Sequence, residues 1–297
     1  MPIVAYAAML AVVVLWGSAF PAIKIGLTGL EPQHLMLLRH LVAGAAFFLV
    51  LLAFGQRRRP DTKDIPLFLG LGFAGIFVYH SGVTFGELRV SAGATSLIVA
   101  TAPAFTALLS RFVHGDRMPL AGWIGSALSF VGVALIALGD EGGQRIDPLA
   151  AFVLLSAVGT SFYFVFQQPL FKRYTPLEVT AFVTWAGTVP MLLFLPGFAA
   201  DVLSAAAPAL LATVYTGLIA SALAYTLFAF AQSRANPVIV SSLLYSVPVF
   251  AGLQAWWLIG EVPAPLTVAG GVLAIGGIAI VQRARRAARL KAAATAS

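Results

Sequence analysis

The chain of 297 residues has no cysteine, so it forms no disulfide and offers no thiol for catalysis or metal binding. It is also poor in charge. Asp, Glu, Lys and Arg make up 10% of it, against about 25% in a soluble globular protein. That is too little polar surface to clothe a water-soluble body. Acids are the scarcer sign, 11 against 18 basic residues. Glu31, Glu87, Asp140, Glu141, Asp147, Asp201 and Glu261 fall at one set of apolar-run ends, and Asp61, Asp64, Asp116 and Glu178 at the other. A carboxylate relay at a membrane centre, or sodium held by acids, therefore has no candidate. There is no HExxH and no P-loop, so no metal, no cofactor and no enzyme activity is expected. A lipid-modifying enzyme would want acids, histidines or cysteines clustered near one surface, and they are missing.

What is present is apolar. Hydrophobic residues make up 60%, and the mean hydropathy is +0.94. Ten stretches are near the length of about 20 residues that crosses a bilayer: Ile3–Ile23, Leu35–Phe54, Ile65–Thr84, Ser91–Ser110, Leu120–Leu138, Leu149–Gln168, Val179–Leu195, Ala209–Phe230, Val238–Leu258 and Leu266–Val281. The 28 glycines and 17 prolines suit a membrane bundle, where small residues let helices approach closely. The first run has no basic segment before it and outlasts a signal-peptide core, so it is expected to remain. The class is an all-α polytopic membrane protein.

The basic residues set its orientation. With the N-terminus in the cytoplasm, fourteen of the eighteen Lys and Arg lie on that side. Only Lys24, Arg39, Arg89 and Arg145 fall outside or near the outer surface. Both termini are then cytoplasmic, and the basic clusters report topology instead of nucleic-acid binding. The lipid bilayer is the expected large partner.

The layout of 92–133 returns at 237–278. At a constant offset of 145 residues, Pro103 falls on Pro248, Gly115 on Gly260, Asp116 on Glu261, Gly125 on Gly270 and Gly132 on Gly277. Five matches at one offset read as an internal duplication. Five spans per half is an odd number, so the halves lie in the membrane with opposite orientations, as an inverted-topology repeat. The expected parts are residues 1–139, a connecting loop 140–148 rich in glycine, residues 149–282, and a basic tail 283–297.

Trp16–Gly17–Ser18–Ala19–Phe20, Pro32 with Arg39, Ala94–Ser96 with Pro103, the Gly115–Asp116 turn and Gly125/Gly132, echoed by Pro248, Gly260–Glu261, Gly270 and Gly277, resemble the drug/metabolite transporter superfamily, in particular its ten-helix EamA-type members. Asp116 departs from the Glu usual at that turn. The resemblance spans essentially the whole chain and implies two five-helix repeats and transport. More narrowly, the layout and aromatic content resemble YddG-like bacterial amino acid exporters, which implies a multi-pass protein of the bacterial inner membrane exporting neutral or aromatic amino acids. Another metabolite or drug (a nucleoside, a sugar, a toxic cation) and a lipid flippase remain open, as does uptake instead of export. Ten helices can enclose a path in one subunit, so a monomer suffices.

A substrate is expected near the midplane between the halves. His80, beside Tyr79, is an ionisable group inside a span and so a functional candidate. At the 145 offset it falls on Tyr225. Trp16, Tyr163, Trp185 and Tyr245 lie deep in their spans and can stack on an apolar body while donating a hydrogen bond. Ser18 is a polar position in the first span. Lys24 and Arg39, near outer helix ends, fit a gating or structural role or contact with a substrate carboxylate. Pro103 and Pro248, inside their spans, are expected to bend them, either as gates or as fixed kinks. Trp123, Trp256 and Trp257 read as interface residues.

Overall fold

The computed structural model describes residues 3–55, 59–114, 119–140, 147–234 and 243–295. The α-helices run in the order α1 Ile3–Gly26, α2 Pro32–Ala53, α3 Ile65–Gly72, α4 Tyr79–Gly86, α5 Ala92–Val99, α6 Ala102–His114, α7 Leu120–Asp140, α8 Leu149–Phe166, α9 Pro176–Met191, α10 Phe198–Ser204, α11 Ala207–Gly217, α12 Ala224–Arg234, α13 Val247–Ile259 and α14 Pro265–Thr295. Among the described residues, nine helical stretches are long and apolar enough to cross a membrane. The expected ninth span, Val238–Leu258, begins outside the described residues, and what is described of it is the 13-residue α13. The Gly115–Asp116 turn and most of the 140–148 loop also lie outside them. Large apolar side chains cover the outer face: Phe48, Leu49, Leu193 and Trp257 are each more than half exposed. Trp123 and Trp256 are exposed as well, as interface residues require.

Helix packing is driven by missing side chains. In α7 and α14 the four glycines of the sequence repeat meet in pairs. A Cβ on Gly125 would lie 2.6 Å from the Gly277 carbonyl, and one on Gly270 would lie 2.7 Å from the Gly132 carbonyl. The two helices therefore cross antiparallel with their backbones in contact. At the centre of the crossing Ser129 Oγ donates to the Ala274 carbonyl at 3.1 Å, a bond between positions 145 residues apart. A second close approach sets Gly72 against Gly187. A third sets Gly217 against the backbone of α2, where a Cβ would lie 2.5 Å from the Arg39 carbonyl.

Two helical spans are interrupted by a π-helical turn, Phe73–Val78 between α3 and α4 and Leu218–Leu223 between α11 and α12. They too are separated by 145 residues. Such widened turns are rare and occur mostly at functional sites. Two further spans are broken outright. Ala100–Thr101 separates α5 from α6, and the Tyr245–Ser246 turn precedes α13. At each break a hydroxyl satisfies a carbonyl: Thr101 Oγ1 donates to Ile98 at 2.6 Å, and Ser246 Oγ to Leu243 at 2.5 Å. These breaks correct the expectation for Pro103 and Pro248. Neither proline bends a continuous helix. Each sits in the first turn after a break, where a missing N–H costs nothing because no carbonyl precedes it in the helix.

At one end of the bundle Thr175 and Glu178 form a reciprocal capping box that starts α9. Beside it the Tyr174 hydroxyl donates to Asp64 at 2.8 Å and accepts from the Asp61 N–H at 2.8 Å, while Arg173 pairs with Asp64 at 2.5 Å. These contacts pin the start of α3 to α9.

Gly132→Val is expected to lower stability by about 1–3 kcal/mol, the usual cost of overpacking. Gly276→Val, at a helix position with nothing within 4 Å, should stay within about 0.5 kcal/mol of the parent. Thermal unfolding in detergent measures both.

Candidate functional site

A cavity of about 690 Å³ lies in the middle of the bundle. Its wall is built from elements repeated at the 145 offset. Gly75 and Ala220 contribute from the two π turns, and His80 and Tyr225 from the helices that follow them. Ala100 and Tyr245 contribute from the two breaks, and Pro103 and Pro248 from the turns after those. The irregular backbone is thus gathered around one space. Trp16 packs on Tyr225 and Phe228, both at 5.1 Å between ring centroids. Tyr79 meets His80 edge-on at 4.6 Å, and His80 meets His40 at 4.4 Å. The His40 Nδ1–H donates to the Met36 carbonyl at 2.8 Å, which fixes that ring. Three buried polar atoms of cavity-lining residues, Arg39 Nε, His80 Nδ1 and the Tyr245 hydroxyl, have no hydrogen-bond partner among the described residues.

Six of the eight residues expected to bind substrate line the cavity: His80, Tyr79, Trp16, Tyr163, Tyr225 and Tyr245. Two do not. Ser18 is turned to the helix interface, where its hydroxyl donates to the Leu15 carbonyl at 2.8 Å and meets the Tyr215 hydroxyl at 2.6 Å. Trp185 packs beside Phe182 and donates its indole N–H to the Gly44 carbonyl at 3.0 Å. In both, a neighbouring helix satisfies the polar atom and draws the side chain away from the cavity. Arg39, expected near an outer helix end, instead lines the cavity and is 6% exposed. Gln167, Gln168 and Gln282 also line it. Gln282 carries no signal in the sequence, because it falls just past the last apolar span, Leu266–Val281.

Among the described residues, the cavity wall reaches the surface at one end of the bundle. There it is bordered by the exposed residues Gln168, Phe171 and Pro176 and by Gln282. At the opposite end Lys24 Nζ, on the last turn of α1, lies 3.6 Å from Glu261. Glu261 also accepts the Ala92 N–H, at the start of α5, at 2.8 Å. One carboxylate thereby joins three segments. Gly260, at φ +71°, makes the left-handed turn that presents it, a conformation glycine reaches without penalty. Lys24 thus ties the end of α1 to the turn between α13 and α14. Nearby, Glu87 at the end of α4 is fully buried with neither carboxyl oxygen partnered among the described residues. His34 and Asp201 bind at 2.7 Å and tie α2 to α10.

The profile of the EamA-like transporter family matches residues 3–138 and again 148–283. The chain belongs to the EamA-like transporter family. Family relatives match along most of their length. A Bacillus subtilis (strain 168) protein named Uncharacterized transporter YdfC is 40% identical over 264 residues, covering 89% of this chain and 86% of that one. A Streptantibioticus cattleyicolor protein named Probable terminal-alkyne amino-acid exporter is 38% identical over 276 residues, covering 93% and 92%. An Escherichia coli (strain K12) protein named Probable amino-acid metabolite efflux pump is 29% identical over 287 residues, covering 91% and 92%. A solved crystal structure shares the fold at a TM-score of 0.62 with 22% identity, covering 95% of this chain and 98% of its own. Family membership makes the protein a membrane transporter and not an enzyme. Among the described residues no group of His, Asp and Glu is arranged to hold a metal.

A buried carboxyl with no partner carries a desolvation cost of about 1–3 kcal/mol. Glu87→Met, which keeps the volume and removes both oxygens, should therefore leave the thermal unfolding midpoint unchanged or raise it. A marked fall would show that the carboxyl is satisfied within the folded protein.

Proposed function

We propose that the protein exports small amphiphilic metabolites, in particular neutral and aromatic amino acids, from the cytoplasm across the bacterial inner membrane by alternating access. The observation that carries this reading is the central cavity, whose walls come from matching positions of the two family segments. Two halves of five spans each, inverted relative to one another, give a site that can open to either side at similar energy. The antiparallel crossing of α7 and α14 and the paired π turns support that arrangement. Excess Lys and Arg on one side supports cytoplasmic termini. In that orientation the open mouth at Gln168 and Gln282 faces the cytoplasm, and the Lys24–Glu261 closure faces outward, so the structure corresponds to a loading state.

The wall chemistry suits such a substrate. Trp16, Tyr79, Tyr163 and Tyr225 present ring faces to an apolar or aromatic side chain. His80 and Tyr245 bring hydrogen-bonding atoms for a polar end. The relatives named Probable terminal-alkyne amino-acid exporter and Probable amino-acid metabolite efflux pump support the substrate class, and an Escherichia coli (strain K12) relative named Uncharacterized inner membrane transporter YedA, 28% identical over 265 residues, supports the location. Export proceeds by loading from the cytoplasm, breaking of the Lys24–Glu261 closure as the inner mouth narrows, and release outside. One subunit encloses the path, so a monomer is sufficient.

Counterflow in liposomes tests the reading without assuming an energy source. Vesicles loaded with unlabelled threonine, methionine, phenylalanine or tryptophan should accumulate the labelled amino acid. His80→Ala and Tyr245→Phe should weaken accumulation by about fivefold or more, the worth of a lost hydrogen bond in a buried site. No accumulation of any amino acid by folded protein would overturn the proposed substrate class.

The closure has its own test. Because the chain has no cysteine, Val83→Cys places a single thiol on the cavity wall. A membrane-impermeant maleimide added outside should label it slowly, and several-fold faster when Glu261→Gln is added. Equal rates would show that the Lys24–Glu261 contact does not hold the outer side shut.

A further inference from the structure

We propose that Arg39 is the anchor for a carboxylate on the transported molecule, and that the cavity recognises this acid group without requiring an amine. The proposal rests on the cavity being the transport site and specifies the chemistry that enters it.

Arg39 is placed as a charge waiting for a partner. Its side chain lies on the cavity wall at mid-bundle, 6% exposed. One terminal nitrogen donates to Ser221 Oγ at 3.3 Å, a long bond to a neutral group. Its Nε is buried with no partner among the described residues. No described Asp or Glu lies within 4 Å of the guanidinium. Glu87, also buried, acts on it through space, but neither of its carboxyl oxygens is hydrogen-bonded to the guanidinium. A guanidinium held out of water is costly unless an anion meets it. Its planar fork matches a carboxylate, which it can grip with two parallel hydrogen bonds.

The backbone keeps the fork in place. Gly217 allows α11 to press on the Arg39 carbonyl. The π turn that follows carries Ser221, whose hydroxyl donates to the Thr216 carbonyl at 2.9 Å and is left to accept from Arg39. The widened turn thus orients an arginine that a regular helix would leave without this support.

The rest of the wall sets the class. No Asp or Glu is among the described residues lining the cavity. An ammonium group finds no charged partner there and meets Arg39 as a like charge, so free amines and organic cations are disfavoured. The apolar body of an acid finds Trp16, Tyr79 and Tyr225. The substrate class is monocarboxylates with an apolar or aromatic body. It includes amino acids and equally their 2-oxo, 2-hydroxy and deaminated analogues, in which the amine is absent.

Purified protein in detergent, titrated with 3-phenylpropionate, L-phenylalanine and phenethylamine and followed by thermal shift, tests this on the parent chain. The two acids should stabilise and the amine should not. Equal stabilisation by phenethylamine, or none by either acid, overturns the proposal. Arg39→Met should weaken binding of 3-phenylpropionate at least about tenfold, as expected for loss of a charged hydrogen-bond pair. Arg39→Lys, which keeps the charge without the fork, should fall between. Unchanged binding in folded Arg39→Met also overturns it. The amino-acid reading fails separately: binding of 3-phenylpropionate through Arg39 with no amino-acid counterflow sinks that reading and leaves the carboxylate anchor standing. Phenylalanine counterflow that persists at full rate in Arg39→Met does the reverse.

Discussion

Inside a hydrocarbon layer no water is available to bond a free backbone amide or carbonyl. Helical spans must satisfy their own backbone, and any irregular turn must face protein or a hydrated space. This constraint explains where the chain is irregular. The two π turns and the two broken spans all contribute to the wall of the one central cavity. Hydroxyls of Thr101, Ser246 and Ser221 take up nearby carbonyls. Irregularity placed on the lipid face would lack such partners. The cavity is therefore a place where the described fold tolerates irregular backbone, and it is also where a ligand can use it.

The second organising constraint is packing without a hydrophobic drive between helices. Lipid tails are as apolar as leucine side chains, so helix pairs are held by close van der Waals contact, which small residues allow. Gly125, Gly132, Gly270 and Gly277 supply it at the α7–α14 crossing, where no side chain separates the backbones. That crossing sits away from the cavity wall: neither glycine pair lines it.

Polar groups follow the same economy. At the closed end Glu261 serves Lys24 and the first amide of α5 at once. At the other end Asp64 serves Arg173 and Tyr174. Few acids are present, and Glu261 and Asp64 each serve more than one partner. Arg39 is the exception in the interior. It lies between an aromatic wall and a serine, with its charge directed into the cavity.

The membrane class, the placement of most spans and the glycine pairing were determined by the sequence, because hydropathy and small-residue spacing act locally and every span repeats them. The offset that places Gly125 on Gly270 also places His80 on Tyr225, and both of the latter face the cavity as that symmetry requires. Only the tertiary structure decided which polar residues point inward. Ser18 and Trp185 read from the chain like Tyr225 and Tyr163, yet a tyrosine and a carbonyl on neighbouring helices claim them. Arg39 reads as an outer helix end, yet the depth at which α2 sits against Gly217 carries it into the cavity. The π turns have no signature in composition or period, since a single extra residue per turn leaves the apolar run unbroken. Side-chain direction depends on how one helix is rotated against another, and that rotation is set by contacts between residues far apart in the chain.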